Sequence, residues 1–377
     1  MSWVSIVGQE RVKKILQNAI LHKQFAQAYL FYGSDGTGKD AMAIEFTKAL
    51  NCSISENGNA CDECANCKRI AKLQHQNLKL VFAMPTVKSE NDDDSSDDDV
   101  TSKASKDIIE EIQAQIAAKA QNPYVHIAIP KATAIRIATI RDVKKELSLS
   151  LFSGGKRVVI IFDAHLMNVQ AQNAFLKTLE EPPANTVLIL TTSNLNNLLP
   201  TIISRCQQVP FEILQSSEIA NSLTTKNNIS QTDAKLIAQL SFGNYGRALE
   251  LLGENLPAER LHILDFLRSL VTKTEGEVVD DAEKLTKEFD RDSFKQFILL
   301  LLFWFRDVFA LQHSGAIFNI DQQDSLQKFA ARYPNFQVAH AIALLENALS
   351  LNDKNVYIRL LIATLAIDLR TLILQGK

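Results

Sequence analysis

The first residues able to do chemistry are Gly33-Ser34-Asp35-Gly36-Thr37-Gly38-Lys39-Asp40. They follow the pattern G-x-x-x-x-G-K and depart from it at the last position. In such a loop Gly33, Gly36 and Gly38 let backbone N–H groups close around a phosphate chain, while Lys39 reaches the terminal phosphates. The helix that follows points its positive end at the same anion. The pattern asks for Ser or Thr after the lysine, as a ligand for Mg²⁺, and here the residue is Asp40. A carboxylate a few Å from a polyphosphate repels it by about 3 kcal/mol per unit charge at an effective dielectric near 20. Asp40 could instead bind Mg²⁺, or cap the helix, which is the simpler role. Binding of ATP and Mg²⁺ is therefore expected to be weak or absent.

The second group is Cys52, Cys61, Cys64 and Cys67, a C-x8-C-x2-C-x2-C spacing. Four thiolates this close suit a closed tetrahedral zinc site, which leaves no coordination position open for catalysis. The zinc expected here is structural; the alternative is four reduced thiols. The remaining cysteine, Cys206, is distant and reads as a small buried side chain.

Three further residues complete the candidates. Asp163 ends an apolar run, Arg157–Phe162, as the Mg²⁺-holding carboxylate of an ATPase would, but no glutamate follows to activate water. Its other reading is a helix N-cap. Arg205, in Ser204-Arg205-Cys206, could present a guanidinium to a neighbouring subunit's nucleotide or simply pair with a surface carboxylate. Arg247, in Gly243-Asn244-Tyr245-Gly246-Arg247-Ala248-Leu249, opens a helix; it could face the phosphates or stay solvated.

The elements that must carry these residues alternate. Ala28–Tyr32, Leu78–Phe82, Arg157–Phe162 and Thr186–Thr192 read as short buried strands by length and β-branched content. Helical periodicity covers Val12–Leu21, Ala41–Leu50, Arg141–Leu149 and Val169–Leu179, the last stopped by Pro182-Pro183. Strands alternating with helices imply an α/β fold with a parallel sheet covered on both faces. Val125–Ile129 and Ile135–Ile140 are short apolar runs without a clear period. After about residue 210 strand-like runs disappear. Ser216–Thr224, Gln231–Leu240 and Gly246–Leu252 form a small helical group, and amphipathic helices follow at 258–273, 279–288, 291–313, 336–350 and 354–375.

Length and composition bound the answer. A chain of 377 residues is too long for one ordinary core. The net charge of −3 announces no nucleic-acid surface. It is distorted by Asp92, Asp93, Asp94, Asp97, Asp98 and Asp99, without which the chain is mildly basic. The Ser-, Asp- and Lys-rich stretch from about 86 to 106 cannot bury enough apolar surface to order itself, so a solvated, disordered insertion is expected there. Met1–Val7 lacks the marks of a secretion signal. Phe297–Phe305 is too short to span a membrane and reads as a buried helix. Cysteines without an export signal point to the cytoplasm.

Ile6-Val7-Gly8-Gln9, Ala28-Tyr29-Leu30-Phe31, the cysteine quartet, Asn173-Ala174-Phe175-Leu176-Lys177-Thr178-Leu179-Glu180-Glu181-Pro182-Pro183 and Ser204-Arg205-Cys206 together resemble the bacterial clamp-loader subunits of DNA polymerase III, an AAA+ family. The resemblance spans about residues 4–210, apart from the acidic insertion, and resumes weakly in the C-terminal helices. It implies three domains: a RecA-like core over 1–210, with a zinc module at about 51–70; a helical lid over 211–257; and a helical collar over 258–377 that joins subunits in a ring. Two branches of the family share these motifs, the ATP-hydrolysing tau/gamma branch and the delta-prime branch. Asp40 and the lone Asp163 depart from the first, and the lid motif resembles the second. The implied function is loading of a sliding clamp onto primed DNA, with Arg205 as a finger donated in trans. The implied partners are tau/gamma and delta subunits, with clamp and DNA reached through the complex. A tau/gamma-like active ATPase and a zinc-bearing DNA-binding adaptor are the alternatives.

Overall fold

The computed structural model describes residues 2–85, 106–148, 154–253, 256–285, 289–315, 317–354 and 356–377. The chain divides into two compact units. One comprises Met1–Ile229 with Ser241–Leu249, the other Ser230–Leu240 with Glu250–Lys377.

The first unit is built on a five-stranded sheet: β1 (Ala28–Tyr32), β2 (Leu78–Val81), β3 (Arg157–Ile161), β4 (Thr186–Thr192) and β5 (Gln207–Pro210). The strand order is β2-β3-β4-β1-β5, and every pairing is parallel. Successive residues of the central strands feed opposite faces. Tyr29, Phe31, Val158, Ile160, Val187 and Ile189 join one apolar core, and Ala28, Leu30, Val159, Ile161, Leu188 and Leu190 join another. Covering both faces explains why these strands read as unbroken apolar runs. The first core is closed by residues of α1 (Glu10–Leu21), α2 (Lys39–Asn51), α3 (Ala65–Ala71) and α4 (Lys106–Gln121). The second is closed by α5 (Ile137–Ser148), α6 (Val169–Glu180) and α7 (Pro200–Ile203). Fully burying each large apolar side chain stabilises by about 1.5–3 kcal/mol.

Most expected strands lie where the apolar runs placed them. β5 was not expected: its two glutamines are exposed and Pro210 ends it, so only Val209 carries an apolar signal. The expected acidic insertion lies outside the described residues as far as position 105. From Lys106 the chain is helical, and Ile112, Ile116 and Ala120 of α4 pack against the first core. The run Ile135–Ile140 leads into α5, which starts at Ile137, with Ile135 before it held by a parallel bridge to Met167.

This unit also contains α8 (Ser216–Asn227) and the start of α10 (Tyr245–Gly253). The helix α9 (Gln231–Leu240) groups with the second unit. That unit is otherwise α11 (Leu256–Thr272), α12 (Glu275–Leu285), α13 (Arg291–Gln312), α14 (Gln323–Arg332), α15 (Val338–Asp353) and α16 (Ile358–Gln375). Phe294, Ile298, Leu301, Phe305 and Val308 line the buried side of α13, and Trp304 and Phe336 add to its aromatic cluster. Buried Asp307 is satisfied by Phe318 N–H, Asn319 N–H and Asn319 Nδ2. Among the described residues no helix is long and apolar enough to cross a membrane.

Candidate nucleotide site and cysteine centre

The phosphate loop leaves the C-terminal end of β1 and enters α2, the edge at which open parallel sheets bind ligands. Gly33, Gly36 and Gly38 all have positive φ. Gly36 shows why glycine is required. Its φ is +66°, and a Cβ would stand 1.6 Å from Asn244 Oδ1. Asn244 therefore lies directly on the loop. Tyr245 N–H donates to Gly36 O at 3.1 Å, and Arg247 N–H donates to Asn244 Oδ1 at 2.8 Å. Arg247 thus sits in the first turn of α10, with its backbone capped by the residue that touches the loop. On the other side Tyr124 packs edge-on against Tyr245 and accepts a hydrogen bond from Val7 N–H.

Lys39 is 6% exposed. Its ammonium donates to Gly33 O at 2.8 Å and Ser34 O at 2.6 Å, so it bridges the start of its own loop. Burial pulls this amine below its ordinary value, and the charges of Asp40, Asp35 and Asp163 oppose that pull.

Asp40 does not cap the helix. Its Oδ2 accepts from Lys119 Nζ at 2.7 Å. Lys119 arrives from α4, is 1% exposed, donates also to Val125 O at 2.7 Å, and lies 4.6 Å from the centre of the Phe162 ring. Burying an ammonium costs several kcal/mol unless it is paired and hydrogen-bonded, and here it is both. Burial raises the Asp40 carboxyl, but Lys119, Thr191 and Lys39 outweigh it and leave the group below its ordinary value. Mg²⁺ would need oxygen ligands at about 2.0–2.1 Å in near-octahedral geometry. Asp40 stands where the pattern asks for the Mg²⁺-binding Ser or Thr, and its Oδ2 is already held by a lysine.

Asp163 follows β3 with φ +49°, a left-handed conformation that Asp tolerates better than most residues. Its side chain makes no N-cap bond. It pairs with His126 Nδ1 at 3.3 Å, and its N–H donates to Thr191 Oγ1. Burial, then the Asp40 charge, raises its carboxyl, against the pull of His126 and His165. The next residue is Ala164, so no second carboxylate follows.

The four cysteines converge. Cys52 follows α2, Cys61 lies in the loop, Cys64 caps α3, and Cys67 is buried in its first turn. Their Sγ atoms all lie within 4.8 Å of one another. The Cys61–Cys67 separation of 4.0 Å is near the ~3.8 Å edge of a tetrahedron with Zn–S bonds of about 2.3 Å. The N–H groups of Cys61, Cys64 and Cys67 each donate to the sulfur of the preceding cysteine, the donor set a bound thiolate needs. Burial raises the Cys64 thiol, yet the N–H groups of Cys67 and Ser53 outweigh it and bring it down to about 6. These residues could hold a zinc ion, which would tie α2 to α3. Lys48 ties Asp62 of this loop to Glu45 of α2, at 2.7 and 2.8 Å. Cys206 stands apart in the second core, its thiol pushed up to about 12 by burial.

Arg205 follows α7. Its Nε donates to Glu180 Oε1 at 2.8 Å and its Nη1 to Thr201 O at 3.0 Å. Glu180 belongs to the Leu-Lys-Thr-Leu-Glu-Glu-Pro-Pro run at the end of α6.

Sequence reasoning missed Lys119, Tyr124, His126 and Asn244. The one available signal for Lys119 was the Ile112, Ile116, Ala120 spacing, which marks α4 as an amphipathic helix.

A family profile described as "DNA polymerase III, delta subunit" matches residues 8–215, more than half the chain. Among similar sequences, DNA polymerase III subunit tau of Bacillus subtilis is 29% identical over 325 residues, covering 80% of this chain. This chain spans only about half of that relative's length, 49%. DNA polymerase III subunit delta' of the same organism is 29% identical over 308 residues, 81% of this chain and 78% of that protein. A solved structure, a DNA polymerase III gamma subunit-related protein from Thermotoga maritima, superposes at a TM-score of 0.45 with 16% identity, covering 96% of this chain and 99% of that one. With the profile matched from the entry to the phosphate loop through to β5 and beyond, this chain belongs to the DNA polymerase III delta-subunit family.

Proposed function

We propose that this chain is a clamp-loader subunit of DNA polymerase III that does not hydrolyse ATP and instead serves an ATPase in a neighbouring subunit. Family membership and the delta' relative support the loader assignment. Two observations support a reading without hydrolysis: Asp40 stands at the Mg²⁺-ligand position with its carboxylate held by Lys119, and Asp163 has no glutamate beside it. Without a metal to neutralise charge and a carboxylate to activate water, phosphoryl transfer lacks both of its usual supports.

In this reading the chain sits in a ring with tau/gamma and delta subunits, in the cytoplasm. Residues 211–257 act as its lid and 258–377 as its collar. The cysteine quartet holds one structural zinc. Arg205 exchanges Glu180 for the γ-phosphate of the adjoining subunit, where a guanidinium stabilises charge on the transferred group. The clamp and primed DNA are engaged through the assembled complex. A tau/gamma-like active ATPase is the second reading, favoured by the similarity to tau and by retention of Lys39 and Asp163. ATP turnover by the purified chain separates the two: turnover lost on Lys39→Ala supports the second, and none above background supports the first.

A further inference from the structure

We infer that Lys119 is the resident cation of this phosphate loop, supplied by the protein where a nucleotide site would hold a divalent ion, and that it keeps the loop formed without metal. The inference rests on the reading of this loop as a degenerate nucleotide site.

An ammonium has three protons to place. Lys119 gives one to Asp40 Oδ2 and one to Val125 O, and its charge faces the Phe162 ring. A lysine at 1% exposure has no route to solvent unless α4 moves, and α4 is anchored in the core by Ile112, Ile116 and Ala120. Asp40 is the opposite case, with its side chain 23% exposed. An ion from solvent could reach the carboxylate, but only by competing with a cation already bound to it.

Lys39 and Lys119 face Asp40 and Asp163, with Asp35 near Lys39 and His126 on Asp163. Removing Lys119 alone leaves Asp40 and Asp163 as two partly buried carboxylates, with Lys39, bound to Gly33 O and Ser34 O, acting on both only through its charge. That arrangement would recruit Mg²⁺. Asp40 and Lys119 are thus one device: the carboxylate replaces the usual Ser/Thr, and the lysine replaces the metal that residue would have bound.

The test is thermal melting of the full chain, zinc retained and nucleotide absent, with and without millimolar MgCl₂. The wild-type melting temperature should not respond to MgCl₂. Lys119→Met should melt several degrees lower, and MgCl₂ should restore part of that loss. The double variant Asp40→Ser with Lys119→Met should recover most of the loss without MgCl₂, because it removes the carboxylate that lost its lysine. If Lys119→Met does not fold, a folded double variant makes the same point. Stabilisation of the wild type by MgCl₂, or a double variant no more stable than Lys119→Met, would overturn the inference. These melts contain no nucleotide, so they stand or fall separately from any measurement of ATP turnover.

Discussion

The Arg205 guanidinium is gripped by Glu180 of its own chain, with Nε 2.8 Å from Oε1, while a second nitrogen donates to Thr201 O. The two side chains are 35% and 47% exposed, so the pair is screened by solvent and contributes at most about 1 kcal/mol to stability. A contact this weak can be given up for a phosphate.

Arg205→Ala should therefore leave the melting temperature and the zinc content unchanged while lowering the ATPase rate of the reconstituted loader. An arginine finger in trans is worth roughly 10³–10⁵ in the best-studied GTPases, and less is expected in a ring with several sites. Lysine should rescue poorly, because it lacks the planar fork that holds two oxygens. Steady-state ATPase assays on the complex decide the matter. An unchanged rate would reduce Arg205 to a surface partner of Glu180.

Metal analysis should find about one zinc per chain, as expected of a closed four-thiolate site. Cys64→Ser should release it and loosen the link between α2 and α3, which shows as a lower melting temperature of the first unit. A chain purified free of metal under reducing conditions, yet melting as the zinc-loaded form does, would contradict the assignment.

Glu45 sets a pH dependence. Burial, opposed by Lys48 and reinforced by Asp62, raises its carboxyl from an ordinary 4.5 to about 7, and its Oε2 has no hydrogen-bond partner among the described residues. The folded chain keeps this proton up to about pH 7, whereas the unfolded chain gives it up near 4.5. The stability contributed through this group is thus highest below pH 4.5, falls as the pH rises to about 7, and is level above that. Glu45→Gln should match the wild type near the lower end of that window and exceed it by about 1–3 kcal/mol at pH 8. Urea melts at the two pH values measure it; parallel curves for the two proteins would contradict the role given to burial.

Much of the fold was legible because its signals are local. Thr186–Thr192 is apolar over most of its length, and a strand buried on both faces needs that. The glycines and Lys39 carry the phosphate loop in seven consecutive residues. What was illegible is non-local or masked by composition. The partner of Asp40 lies 79 residues away on a helix that directly follows an acidic tract, so capping was the nearer guess. α4 itself was hidden by that tract, and α14 by its many polar residues around one buried Leu326. The seat of Asn244 on Gly36 depends on a fold-back of some two hundred residues, which no spacing rule records.

The most direct measurement of the central claim is steady-state ATP turnover by the purified chain, with Mg²⁺ and primed DNA present, beside Lys39→Ala. Asp40 bound to Lys119 and Asp163 without a neighbouring glutamate predict no turnover above background for either protein. Lys39→Ala should also leave the ATPase rate of the assembled loader nearly unchanged. Robust turnover by the wild-type chain that disappears in Lys39→Ala would contradict the account and make this protein an ATPase of the tau/gamma kind.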